Sequence, residues 1–109
     1  MSNGWSWAVL FAAGFFEICW ATALKYTEGF TKFAPSVFTL ITLSLSMYLL
    51  SQASQTLPIG TAYGVWVGIG ALGTAVLGVI LFDEPMSVLR AVFLILLLIS
   101  IVGLKLTSK

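Results

Sequence analysis

Hydrophobic positions in this chain fall into four long blocks, roughly Trp5–Leu24, Phe33–Leu50, Ile59–Phe82 and Met86–Leu104. Three short polar breaks part them, Lys25–Lys32, Ser51–Leu57 and Asp83–Pro85. A bilayer core about 30 Å thick needs about 20 apolar residues in helical form, and each block meets that length. The prolines agree with the boundaries. Pro35, Pro58 and Pro85 each stand at the start of a block, where a missing N–H costs little, and none lies mid-block. Breaks this short make consecutive helices antiparallel neighbours and put both termini on one face of the membrane. Trp5, Trp7 and Tyr26 bracket the first span as interfacial anchors. The pattern predicts an all-α integral membrane protein of four transmembrane helices, forming one domain over residues 1–109.

Composition strengthens this reading and narrows the chemistry. The chain is 60% hydrophobic and 8% charged, far from the globular balance of about 45–50% apolar and about 25% charged. Its net charge of +1 includes no basic tract, so nucleic acid is not an expected partner. There is no histidine, and the single cysteine, Cys19, sits inside a hydrophobic run. No disulfide, metal cluster or cofactor is expected, and without a nucleophile–base pair neither is an enzyme. The N-terminal stretch lacks a basic n-region, and Glu17 interrupts its apolar run, so the first span is expected to persist in the mature protein.

Charge leaves orientation nearly undecided. Lys105, Lys109 and the terminal amine fall on the side of the termini; Lys25, Lys32 and Arg90 fall on the other. The positive-inside rule has almost nothing to act on. Either context outside the charge count decides, or the chain inserts both ways. Four helices of this size also enclose too little volume for a cation path. Both points favour an antiparallel, dual-topology homodimer.

Glu17 is the one intramembrane charge. It lies about 18 Å into the first span at about 1.5 Å per residue, near the midplane and too deep to snorkel. A carboxylate there is expensive, by about 2.5–3.5 kcal/mol on insertion scales, and marks a functional site by default. The alternative is a structural glutamate held by a neighbouring hydroxyl. On the helical wheel its face holds Leu10, Ala13, Gly14, Trp20, Ala21 and Leu24. The small residues there leave room for a ligand or a close helix. Trp20 adds a π face and an N–H donor, though ordinary packing also explains it.

The second span carries a hydroxyl stripe, Thr39, Thr42 and Ser46. These side chains either line a path and donate to Glu17 or back-bond to their own helix. In the third span Tyr63, Trp66, Gly70 and Thr74 share a face, while Gly60, Gly64 and Gly68 form a small-xxx-small row. Gly68-Ile69-Gly70 suggests a bend. Packing alone accounts for the glycine row; Tyr63 and Trp66 fit the aromatic walls of a cation site better. The fourth span is nearly uniform aliphatic from Phe93 to Ile99 and suggests only lipid contact or dimer packing.

Three segments together resemble the small multidrug resistance family. They are Gly14-Phe15-Phe16-Glu17 with Trp20-Ala21, the loop from Lys25 to Lys32, and the stretch from Leu57 to Gly70. The resemblance covers essentially the whole chain. Trp20, Gly14 and Ser46 are similar to the guanidinium-exporter branch; the quaternary-ammonium branch has smaller residues around its glutamate and a more aromatic second span. The resemblance implies a multi-pass protein of the bacterial inner membrane, an antiparallel homodimer exchanging protons for guanidinium with both copies of Glu17 in one site. It implies that Ser46, Trp20 and Tyr63 supply hydrogen bonds around the carboxylates and that Trp66 walls the site. It also matches Lys105 to a family lysine, without a role. Two alternatives stay open: export of lipophilic quaternary cations, and an accessory membrane subunit without transport.

Overall fold

A computed structural model describes residues 3–107. It contains four helices, α1 (Asn3–Tyr26), α2 (Phe33–Ala53), α3 (Ile59–Phe82) and α4 (Val88–Thr107). All four are long and apolar enough to cross a membrane. The expected spans are therefore present, with ends shifted by a few residues. Lys109 and the terminal amine, which entered the charge count, lie outside the described residues.

The clearest shift is at α4. Met86 was the expected start, two residues early. Asp83 takes a left-handed conformation (φ 53°) that ends α3, and Pro85 follows in the connection. The helix then starts at a cap: Ser87 Oγ accepts from Arg90 N at 3.0 Å, and the Ser87 carbonyl accepts from Ala91 N at 3.0 Å. Serine in this position satisfies one of the first orphan N–H groups of the helix. The α1–α2 turn is also left-handed, through Glu28, Gly29 and Phe30. The Thr27 hydroxyl secures it by donating to Leu24 O (2.6 Å) and accepting from Phe30 N (3.2 Å).

Packing follows a lateral order α2–α1–α3–α4. α1 packs on α2 and α3, α3 also on α4, and α2 touches α3 only lightly. The result is a slab of 41 × 35 × 16 Å, little thicker than one helix with its side chains at about 10–12 Å. Aromatic contacts confirm which ends adjoin. Lys105 Nζ lies 5.3 Å from the Trp7 ring centroid, joining the end of α4 to the start of α1. At the opposite edge Tyr26 and Phe82 meet at 5.2 Å, with Lys25 Nζ 4.9 Å from Phe82. The core is small: Leu10, Ala13, Ala53, Ala62 and Val65 are fully enclosed, and Trp7, Leu50, Leu57, Trp66 and Ile101 nearly so. α4 contributes little to it, and Phe33, Val88, Phe93 and Ile99 stay exposed, as lipid-facing residues do.

Glycine lets α3 serve two neighbours. A Cβ on Gly68 would stand 2.8 Å from Ile101 Cγ1, and one on Gly64 would stand 3.4 Å from Leu104 Cδ1, so these two seat α4. Gly60, the third of the row, meets nothing within 4 Å. Gly70 and Gly73 instead receive Glu17 and Ile18 of α1. Gly68 and Gly70, where the sequence suggests a bend, both lie within the single helix α3. The pair divides the helix surface between partners without interrupting it.

Candidate functional site

Glu17 sits on α1 at the seam with α3, 9% exposed. Its carboxyl group rests directly on the backbone of Gly70; a Cβ there would occupy the same space. Close backbone approach of this kind is the reason for glycine at that position. One turn earlier on α1, Gly14 admits Ile69 in the same manner, with Ile69 Cγ2 2.7 Å from where a Cβ would be. Two glycines, one on each helix, thus draw α1 and α3 together around the carboxylate.

Beside it lies a hydrogen-bonded joint of three helices. Trp66 Nε1 on α3 donates to Ser46 Oγ on α2 at 2.9 Å. Ser46 Oγ in turn donates to Ala13 O on α1 at 2.7 Å. In an α-helix the carbonyl of residue 13 is the one that receives the backbone N–H of residue 17. Ser46 therefore grips the turn that carries Glu17, and its hydroxyl proton is committed to the backbone. The resemblance implies hydrogen bonds from Ser46 around the carboxylates; within the single chain its partners are Ala13 and Trp66. Trp66 is buried and works as a donor within the joint, while its ring meets Tyr63 at 5.7 Å and 45°. Tyr63 itself is exposed.

The other two hydroxyls of the α2 stripe do not reach Glu17. Thr39 donates to Pro35 O and Thr42 to Phe38 O, each at 2.8 Å. Both are buried against the rest of the chain, so of the two readings the back-bonded one holds here. Thr42 nevertheless lines an open cavity with Phe33, Val37, Phe38 and Ile41.

Some polar atoms at this seam have no partner at all. Among the described residues, buried side-chain atoms without a hydrogen bond are Glu17 Oε1, Trp20 Nε1, Thr22 Oγ1 and Thr74 Oγ1. Buried polar groups in folded proteins are nearly always satisfied, so each exception calls for an explanation. Trp20 is half-buried one turn beyond Glu17, where its expected N–H is available. Thr74 shares the α3 face that the sequence marks with Tyr63, Trp66 and Gly70, whereas Thr22 carries no such mark. A lone threonine in a membrane helix ordinarily back-bonds, and only the three-dimensional placement reveals that these two do not. No group of three or more potential metal ligands exists among the described residues.

Comparison with known proteins gives consistent results. The model of the family described as "Small Multidrug Resistance protein" matches residues 5–97. A "Guanidinium exporter" of Proteus vulgaris is 50% identical over 103 residues, covering 94% of this chain and 99% of that protein. Another "Guanidinium exporter", from Yersinia pestis, is 48% identical with the same coverage. One from Escherichia coli (strain K12) is 47% identical, covering 94% of this chain and 98% of its own.

Proposed function

The chain belongs to the small multidrug resistance family, and on that premise we propose that it exports guanidinium in exchange for protons, as an antiparallel homodimer in the bacterial inner membrane. The observation that carries the proposal is the carboxylate at Glu17, buried mid-span with Oε1 unpartnered. The names of its relatives supply the substrate class. Guanidinium is planar, permanently charged and weakly hydrated, with paired donors that match carboxylate oxygens.

The leftover atoms support a second copy. Guanidinium has no acceptor, so it satisfies Glu17 Oε1 but not the N–H of Trp20. A second Glu17 supplies the missing acceptor. A slab 16 Å thick also cannot surround a cation, whereas two slabs face to face enclose one. With one subunit inverted, the two halves exchange shapes, and the site opens to each side in turn. Proton and cation compete for the same oxygens, which couples their movement. Gly14, Gly70, Ser46 and Trp66 hold the geometry; Trp20 and Tyr63 complete the walls.

Glu17→Gln tests this. The amide keeps the volume, and a neutral group is cheaper to bury than a carboxylate, so the protein should still assemble. In proteoliposomes, guanidinium-driven proton movement should vanish, because no other acid among the described residues lies mid-span. In the unaltered protein guanidinium affinity should fall as pH falls, since protons then occupy the oxygens. Coupled flux persisting in Glu17→Gln, with affinity flat from about pH 6 to 9, would place coupling elsewhere.

A further inference from the structure

A polar pocket lies between α1 and α3, nearer the loops than Glu17. It has a volume of about 390 Å³, and Thr22, Lys25, Thr74, Gly78, Glu84 and Arg90 line it. Thr22 is only 8% exposed, and both its hydroxyl and that of Thr74 lack partners. Two enclosed hydroxyls without partners, on two residues that line one pocket, call for an explanation in what that pocket holds.

The arrangement along α3 repeats. Gly70 receives the carboxyl of Glu17 and Gly78 that of Glu84, with Thr74 midway. The two glycines are about 12 Å apart at about 1.5 Å per residue, on one face of the helix. Each carboxylate is thus set against bare backbone, with an unpartnered hydroxyl between them. The outer carboxylate already holds a guanidinium group, that of Arg90: Nη2 lies 3.3 Å from Glu84 Oε1, and Nη1 donates to Pro85 O at 3.3 Å.

We infer that Glu84 is an outer guanidinium subsite, occupied in the unloaded chain by the Arg90 side chain as a tethered stand-in. Free guanidinium displaces Arg90, and the Thr74 and Thr22 hydroxyls accept its N–H groups on the way to or from Glu17. Lys25 tempers the site. Its ammonium lies over the Phe82 ring at 4.9 Å, so with Arg90 displaced the pocket holds one acid and one base beside the cation. The subsite is therefore weak, which suits transit, because a site on a path must release as readily as it binds. This rests on the guanidinium reading above, but it is testable without the central site.

The experiment is a guanidinium chloride titration, against sodium chloride at matched ionic strength, of the full isotope-labelled protein in bicelles. All samples carry Glu17→Gln, and the amide signals of Thr74 and Gly78 are followed. With Glu84 and Arg90 intact, both should shift saturably; tetramethylammonium, which has no donors, should leave them still. Arg90→Ala removes the competitor and should lower the half-saturating concentration by about threefold or more, since apparent affinity scales with the free fraction of the site. Arg90→Lys, which keeps the charge but loses the fork, should fall between and guards against a folding artefact. Adding Glu84→Gln should abolish the shifts. Absence of saturable shifts in all Arg90 forms, or their survival in Glu84→Gln, overturns the subsite. Failure of the central reading shows separately, as coupled flux persisting in Glu17→Gln.

Discussion

Removing the Ser46 oxygen is the most direct way to ask what holds Glu17 in place. Ser46→Ala deletes an acceptor for Trp66 Nε1 (2.9 Å) and a donor to Ala13 O (2.7 Å). The two losses are unequal. The Ala13 carbonyl keeps its place in the α1 ladder, and only its second lone pair goes free. The Trp66 N–H has no such reserve; its side chain is 7% exposed, and alanine offers it nothing. A stranded buried donor is penalised by about 1–3 kcal/mol. Interhelical hydrogen bonds in membranes average about 0.6 kcal/mol and reach about 1.7. Ser46 is fully buried, so the upper part of that range applies, about 1–1.7 kcal/mol, or about 5- to 18-fold in an equilibrium constant.

A double-mutant cycle with Trp66→Phe separates this account from direct hydrogen bonding to substrate-binding oxygens. Once the indole N–H is gone, Ser46→Ala strands nothing. Its effect on reversible unfolding in mixed micelles should shrink, leaving a coupling of about 0.6–1.7 kcal/mol between the two positions. Calorimetric affinity for guanidinium and for a tetraalkylammonium should weaken together in Ser46→Ala, because the turn bearing Glu17 loosens for both. Strictly additive stabilities, or a loss confined to guanidinium at unaltered stability, would refute the joint and return Ser46 to the carboxylates.

Gly70→Ala puts a Cβ into the space of the Glu17 carboxyl; overpacking of about 1–3 kcal/mol should displace the side chain and weaken guanidinium binding about 5- to 150-fold by calorimetry, with assembly retained by size-exclusion chromatography. Ser87→Ala removes the α4 cap and should lower unfolding stability by about 1 kcal/mol, against about zero if the helix started elsewhere. For dual insertion, C-terminal reporter fusions should be active on both sides of the membrane. Two or three lysines added after Thr107 should bias them to one side, and function should return on co-expression with an oppositely biased copy; reporters active on one side only would remove the antiparallel dimer.

Features imposed by lipid can be read from one dimension, because lipid treats every residue on a helix surface alike. That is why the four spans and Glu17 are legible: block length and the depth of a lone carboxylate need no knowledge of neighbours. The start of α4 is less so, since Pro85 gives the stronger local signal but the Ser87 cap decides. Features set by which neighbour a side chain meets are legible only as a face. The α2 stripe of Thr39, Thr42 and Ser46 points one way, yet two members bond their own helix and one bonds α1. Periodicity does not separate Ser46 from the threonines; in the structure what separates them is that Ala13 and Trp66 stand opposite. Likewise Gly68 and Gly70 read as one glycine pair in sequence, and only the structure shows that they seat two different helices.

The face shared with Tyr63, Trp66 and Gly70 marks Thr74 in the sequence, but nothing marks Thr22 or shows that either hydroxyl is unpartnered. An unpartnered atom is visible only once every possible partner within the chain has been placed. The orphans here are not scattered. Glu17 Oε1, Trp20 Nε1, Thr22 Oγ1 and Thr74 Oγ1 all belong to α1 and α3, the two central helices of a single layer. A layer one helix thick has two open faces, and lipid can satisfy an apolar face but not a carboxylate or an indole N–H. The four atoms are enclosed within that layer and have no partner inside it, so a ligand or a second copy reaches them only if the α1–α3 seam opens. The proposed exchange of proton and cation at Glu17 therefore requires a movement at that seam, and the glycines Gly14 and Gly70, which set how closely α1 and α3 approach there, are where it would be felt.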